Sequence, residues 1–230
     1  CALPISSDCL LCSRSGKTAL CVACMNSLRY PVARRCEQCG LRLEATTQES
    51  PVRICGQCLS DPPAFDRSLV ATDYVPPIDT LVHDLKFRAR LPLAQAFGQV
   101  LVDVAGTALS PADILVPVPL SRERLELRGF NQALEIARPI AAVWKLTLLT
   151  DICVRTRNTS AQAELPLSQR RVNMRGAFAV CDRKSIENRH VLVVDDVMTT
   201  GHTLRELAAC LKRHGAARVS NLVLARTPLR

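Results

Sequence analysis

Aromatic residues are scarce: one Trp, two Tyr and five Phe make up 3% of the 230 residues. Surfaces that hold single-stranded nucleic acid usually stack bases on several aromatic side chains, so that mode of binding has thin support here. Long apolar runs are lacking as well. None approaches the roughly 18–20 residues needed to cross a bilayer, so no membrane insertion is expected. Nothing at the start combines a basic head, an apolar middle and a cleavage site, which makes a cytoplasmic protein the expectation. The chain opens on Cys1 rather than Met, which leaves its true start open. There is no low-complexity tract and no internal repeat beyond paired cysteines. Lys is rare too, outnumbered by Arg 25 to 5. Arg suits bidentate phosphate binding, although GC-rich codon usage explains the bias equally well.

What is present is an ordinary globular balance, 48% hydrophobic and 22% charged, in a chain long enough for one full core plus a small appendage, or for two small domains. Cysteine is abundant and unevenly placed. Nine of the 12 cysteines precede residue 60. Eight of these form four C-x-x-C knuckles: Cys9/Cys12, Cys21/Cys24, Cys36/Cys39 and Cys55/Cys58. The last two knuckles are separated by 15 residues, which matches the zinc-ribbon spacing. Two intervening residues let both sulfurs reach one metal at about 2.3 Å, and four thiolates close a tetrahedron with no open position. Two structural Zn²⁺ ions are therefore expected. A disulfide framework or a redox C-x-x-C is the alternative, disfavoured by four knuckles without a secretion signal. Sequential pairing keeps each loop short, while a crossed arrangement joining the first and third knuckles stays open. The formal charge of +9 would fall to about +5 with both ions bound to thiolates. The basic excess then lies beyond residue 60 and could serve a polyanion or a small polyphosphate. Cys153, Cys181 and Cys210 read as ordinary buried thiols.

The stretch LSDPP at residues 59–63 reads as a stiff linker, dividing a cysteine-rich double ribbon at 1–60 from a second domain at 61–230. Beyond it, strand-like segments at 67–74, 113–119, 148–154, 190–194 and 218–225 alternate with helical spacing at 78–87, 93–105, 131–144 and 203–214. This alternation predicts an α/β fold with a parallel sheet flanked by helices. Ligands in such sheets sit beyond the carboxyl ends of the strands.

One segment, VLVVDDVMTTGHT at residues 191–203, has the order of a ribose-phosphate site. A buried strand ends in Asp195 and Asp196, which can accept hydrogen bonds from vicinal hydroxyls or hold Mg²⁺ through water. Thr199, Thr200, Gly201, His202 and Thr203 then turn into a helix, whose N-terminal N–H groups suit a phosphate. A Thr before a helix is usually only a cap, and an acidic pair is often only solvated; the ordered combination is what is specific. It resembles the 5-phosphoribosyl-1-pyrophosphate (PRPP) motif of type I phosphoribosyltransferases. That resemblance implies that Asp195 and Asp196 face the ribose hydroxyls and that residues 199–203 cradle the 5-phosphate.

The whole chain is similar to a narrower family. A cysteine-rich ribbon precedes LVPVPL at 115–120, RGFNQA at 128–133, the basic stretch RTRNTSAQAELPLSQRRVNMRGAF at 155–178 and the PRPP motif. This order resembles the ComF family over nearly all of residues 9–226. The resemblance implies a pyrophosphate loop around Arg122, Arg124 and Arg128. It also implies a closing loop over residues 155–175, with Arg155 and Arg157 favoured as ligand contacts over Arg170 and Arg171, and Gln162 and Asn173 as polar candidates. A closing lid would exclude water from the reacting centre. Lys86 and Arg88 either reach phosphate from the other side or merely flank an amphipathic helix.

Three functions fit. The first is an enzyme transferring ribosyl 5-phosphate from PRPP, with Mg²⁺, to a nucleophile. The second, implied by the family, is a competence factor that handles single-stranded DNA or works with DNA-uptake proteins. The third is a regulator that senses PRPP or another ribose 5-phosphate without turnover.

Overall fold

The structure, a computed structural model, describes residues 7–28, 34–43, 53–106, 112–156 and 176–228. Its centre is a five-stranded parallel sheet of β3 (Arg67–Asp73), β4 (Ile114–Pro117), β5 (Thr147–Leu148), β8 (His190–Met198) and β9 (Arg218–Arg226). The strands lie in the order β3-β9-β8-β4-β5. β4 and β8 are adjacent, with Ile114 opposite Val191 and Pro117 opposite Val194. The chain leaves β4 outward to β5 and later returns on the other side to β8. The order therefore reverses between β4 and β8, the switch point beyond whose carboxyl ends ligands bind in open parallel sheets.

Continuous apolar runs such as Val191–Val194 are wholly buried, as expected of a parallel sheet covered on both faces. One face packs on α3 (Ile78–Arg88), α4 (Pro92–Ala105) and α6 (Gln132–Trp144), through Leu85, Phe97 and Ile136 against Leu192, Val194 and Leu222. The other packs on α7 (His202–Arg213), through Leu204, Leu207 and Leu211 against Val191, Val193 and Val223. Gly98 lets α4 cross α6 closely: a Cβ there would lie 2.4 Å from Pro139 Cγ.

The expected alternation holds, with shifts. The strand expected at 148–154 is two pieces, β5 and β6 (Cys153–Arg155). β6 leaves the sheet to pair antiparallel with β7 (Phe178–Val180), a pairing that depends on a distant segment. The strand expected to end at Val194 runs on to Met198. The segment after β4, expected as a loop around Arg122, Arg124 and Arg128, forms a helix, α5 (Arg122–Arg128). Trp144 is half-buried against the first core. Cys153 and Cys210 are buried as expected, but Cys181 is exposed, because it follows the end of the short strand β7.

The N-terminal cysteines lie in or beside short elements: β1 (Ser7–Asp8), β2 (Ser15–Gly16), α1 (Val22–Leu28) and α2 (Gly56–Ser60). Leu20, Cys24 and Leu28 join the same apolar cluster as α4. Among the described residues, no helix is long and apolar enough to cross a membrane.

Candidate functional site

The RGFNQA segment shows how sequence builds the switch point. Gly129 ends α5 with φ +79°, a left-handed turn that favours glycine. Asn131 then caps α6: its Oδ1 accepts from the N–H groups of Ala133 at 3.0 Å and Leu134 at 3.4 Å. Its Nδ2 donates to Val118 O at 3.0 Å, tying the cap to the end of β4. This places Gln132 at the start of α6, buried, facing β8.

Asp195 and Asp196 are 8% and 2% exposed. Side chains alternate across a strand, so the two carboxylates diverge. Asp196 turns to the α3/α6 side, where Lys86 Nζ forms a close ion pair with Oδ2 and Gln132 Nε2 donates to Oδ1 at 3.2 Å. Gln132 Oε1 in turn accepts from Arg128 Nη1. The Arg128 guanidinium lies 5.5 Å from the centroid of the Phe87 ring. A continuous chain thus runs from Phe87 through Arg128, Gln132 and Asp196 to Lys86. Burial opposes the Asp196 charge, yet Lys86 and Gln132 outweigh it and hold the group below its ordinary value. Asp195 is treated differently. Burial, then the adjacent Asp196 charge, holds its carboxyl well above the usual carboxylate range. Its Oδ1 accepts from the Asp196 N–H at 2.9 Å. The buried pair accordingly favours a proton on Asp195 and a charge on Asp196.

Beyond Met198 the chain turns sharply. Gly201 has φ +80° and precedes α7, with Met198 Sδ 3.5 Å from where a Cβ would stand. Thr199 and Thr200 are exposed, and Gly201, His202 and Thr203 half-buried. Thr200 Oγ1 and His202 Nδ1 are 3.2 Å apart. An exposed hydroxyl-bearing turn thus leads into the N-terminus of a 12-residue helix, where backbone N–H groups and the helix dipole favour an anion.

Cations surround the switch point unequally. Arg128 and Arg155 are half-buried, and burial lowers the proton affinity of each, with Asp196 and Asp195 respectively opposing. Arg124 acts on both from a distance. The Arg155 guanidinium sits 5.8 Å from the Phe178 ring centroid, so the β6–β7 pair holds it over the Asp195 side. Arg122 is not brought in: it lies on the exposed side of α5, paired with Glu126 at 2.8 Å. Arg88 pairs with Asp84 at 3.0 Å, away from the acids. Arg157, Gln162, Arg170, Arg171 and Asn173 lie outside the described residues. Gln132, Phe87 and the distant influence of Arg124 were missed as a network. Gln132 was visible only as part of RGFNQA, since nothing in the sequence says that it faces Asp196.

The cysteines divide sequentially into Cys9, Cys12, Cys21, Cys24 and Cys36, Cys39, Cys55, Cys58, each with all sulfurs within 4.8 Å of one another. The crossed pairing is ruled out. Cys12 and Cys21 sulfurs are 3.7 Å apart, and those of Cys39 and Cys55 3.6 Å. A tetrahedral site with bonds of about 2.3 Å has edges of about 3.7–3.8 Å, whereas a disulfide needs about 2.05 Å. The donor set fits zinc. Backbone N–H groups support the thiolates: Cys21 N–H donates to Cys9 Sγ and Cys55 N–H to Cys36 Sγ, both at 3.3 Å. Burial resists the Cys9 thiolate, but the N–H groups of Cys21, Leu11 and Cys12 bring it down to about 6. Hydrogen bonding from Cys39 brings Cys36 down to about 4.

Residues 131–229 match the family model described as phosphoribosyl transferase domain. Over 98% of this chain, the sequence is 35% identical to the Escherichia coli "DNA utilization protein YhgH", covering 99% of that protein. It is 29% identical to "Competence protein F" of Haemophilus influenzae, over 91% of both chains. It is 26% identical to "Competence protein ComFC" of Bacillus subtilis, over 90% of this chain and 84% of that one.

The chain belongs to the ComF family. As in the resemblance drawn from its motifs, this ComF-family chain carries a phosphoribosyltransferase-type parallel sheet behind two four-cysteine groups. The matched region begins at Asn131, the cap of α6, and includes the acidic pair and the turn into α7. Lys86, Arg128 and the cysteine groups lie before it.

Proposed function

We propose that this chain is a Mg²⁺-dependent, PRPP-binding protein of the ComF type, linked to competence and DNA uptake. The observation that carries the reading is the buried Asp195–Asp196 pair, held by Lys86 and Gln132 and followed at once by the Gly201 turn into α7. Asp195 and Asp196 accept the ribose hydroxyls. Thr199, Thr200, Gly201, His202 and Thr203 cradle the 5-phosphate. Arg128 and Arg155, with Arg157, meet the pyrophosphate. Arg122 contributes least, since its guanidinium is exposed and paired. Lys86 positions Asp196. Asp195 and Asp196 would hold Mg²⁺ through water; the buried, proton-favouring Asp195 is a group that a cation would relieve. When bound, the ion neutralises pyrophosphate charge. Two Zn²⁺ ions hold the ribbon at 1–60, a structural role, and residues 61–230 hold the ligand. In the transferase reading, the bond from the anomeric carbon to pyrophosphate breaks, a bond to an acceptor forms, and pyrophosphate leaves. A cytoplasmic location suits a phosphorylated metabolite.

Calorimetric titration with PRPP and Mg²⁺ tests this. Wild type should bind, and Asp195→Asn plus Asp196→Asn should abolish binding. Equal affinity in the double variant would mean that the ligand sits elsewhere. Pyrophosphate release with an acceptor separates an enzyme from a PRPP sensor, which binds without turnover.

A second reading, a non-catalytic factor handling single-stranded DNA, is favoured by the names of relatives aligned over nearly the whole chain. It requires an affinity for single strands that falls steeply with salt. No mobility shift at low salt removes it.

A further inference from the structure

Arg226 is the last residue of β9 and only 5% exposed. In the sheet it stands between Asp73 of β3 and Met198 of β8. Its side chain joins two places that are far apart in sequence. Nε donates to Cys39 O at 3.2 Å, within the second four-cysteine group. Nη1 donates to Met198 O at 3.1 Å, the residue immediately before the Thr199–Thr203 turn. The same Met198 carbonyl accepts from the Thr227 N–H at 3.0 Å. Two donors thus fix the peptide plane from which the turn departs.

Among the described residues, the cation lacks the carboxylate partner that a buried guanidinium usually has. Asp73 is beside it in the sheet, but Arg35 at 2.8 Å and Arg42 at 3.5 Å engage that carboxylate. Among the described residues, Arg226 pairs with no carboxylate. A buried charge without a counter-charge is strongly unfavourable. The available negative charge belongs to the cysteines. Four thiolates around one divalent ion leave a net double negative charge at that group.

The cysteine group is also packed closely on the sheet. Gly40 lies so close to β3 that a Cβ would stand 2.2 Å from Val70 Cγ2. Ser68 N–H donates to Glu37 O at 3.0 Å, and Arg35 reaches both Gly40 O and Asp73. A change in the Cys36–Cys39 knuckle therefore moves the carbonyl and the charge that Arg226 depends on.

We infer that Arg226 is a positioning residue that couples metal occupancy of the Cys36/Cys39/Cys55/Cys58 group to phosphate binding by the Met198–Thr203 turn. The inference rests on the reading of that turn as the PRPP site. Filling the group with Zn²⁺ would fix the Cys36–Cys39 knuckle and with it the Cys39 carbonyl; Arg226, held by that carbonyl, then holds Met198 O, and the turn is set for the 5-phosphate. The ribbon is thereby part of the ligand site's support, and its loss weakens binding as well as stability.

Two measurements test the coupling. The first is PRPP–Mg²⁺ affinity by calorimetry for the zinc-loaded wild type, Arg226→Met and Arg226→Lys, with melting curves as a folding check. Arg226→Met should weaken binding about tenfold, within the range usual for coupled sites. Arg226→Lys, which keeps the charge and can donate to a carbonyl, should recover most of it. The second is zinc affinity by competition with a chromophoric chelator. Linkage is reciprocal, so saturating PRPP–Mg²⁺ must tighten one of the two zinc sites in wild type by a similar factor, and must not in Arg226→Met. Failure of wild type to bind PRPP overturns both the site reading and the coupling. Retained binding with unchanged affinity in Arg226→Met, or zinc affinity indifferent to PRPP, overturns the coupling alone. Should Arg226→Met not fold, the chelator measurement on wild type decides.

Discussion

Asp195 and Asp196 are adjacent in sequence and opposite in energetics. In Asp195, burial holds the folded-state proton affinity above that of the unfolded chain. As pH rises past about 4, the unfolded state releases this proton first, so the ligand-free protein loses stability up to the raised folded value. Asp196 has the reverse sign: its folded value is lowered, so its contribution is full above about 4 and is lost as pH falls through the lowered value. Asp195→Asn should therefore raise the melting temperature of ligand-free protein at neutral pH, with the gain vanishing near pH 4, while weakening PRPP binding. Asp196→Asn should lower it at neutral pH, since Lys86 is left without its partner. Melts across pH, with and without PRPP and Mg²⁺, check both signs. Gln132→Ala should cost about 1–3 kcal/mol, because it leaves the buried Asp196 and the half-buried Arg128 each without that partner. The acidic pair is legible as a motif; that one carboxylate is gripped and the other held neutral is not, because Lys86 and Gln132 come from other elements.

Elements meet where small residues permit. The α4–α6 crossing depends on Gly98, where a Cβ would also stand 2.9 Å from Ile136 O. Backbone cannot yield as a flexible side chain can, so Gly98→Ala should destabilise the protein by about 1–3 kcal/mol, measured by denaturant unfolding. Gly201 is different: a Cβ would meet only Met198 at ordinary contact distance, but φ is +80°. Gly201→Ala should cost about 1–2 kcal/mol through backbone strain, and weaken PRPP affinity more than it lowers the melting temperature. Helices α3, α4, α6 and α7 were readable from apolar spacing within a residue or two, because that periodicity is local. β7 and α5 were not, and β6 was read only as the tail of one strand at 148–154: the β6–β7 pair joins residues some 25 apart, and α5 buries no residue, so no apolar stripe marks it.

At the scale of the molecule, the cysteine groups hold the N-terminal region onto both cores. Cys9 and Cys24 sit in the cluster shared with α4, and Cys39 packs against the cluster shared with α7. Stripping metal with a strong chelator should therefore lower the melting temperature of the entire chain in one transition, rather than release a separate early one. Two resolved calorimetric transitions would show that the ribbon melts independently. Acid should have the same effect as chelation, since protons compete with metal for the thiolates.

The sequence by itself determined which residues carry chemistry: the four knuckles, the acidic pair, the hydroxyl-rich turn and the RGFNQA segment. Each is a local pattern, written in spacing and residue type. Only the tertiary structure decided how these parts act on one another. It paired the knuckles sequentially, left Arg122 in solvent, turned Lys86 onto Asp196, and set Arg226 between a cysteine carbonyl and the phosphate turn. The physical reason is that charge in a folded chain is governed by burial and by partners across the sheet, and those partners are many tens of residues distant in the sequence. The phosphate turn was legible from its own residues, but its support comes from the other end of the chain.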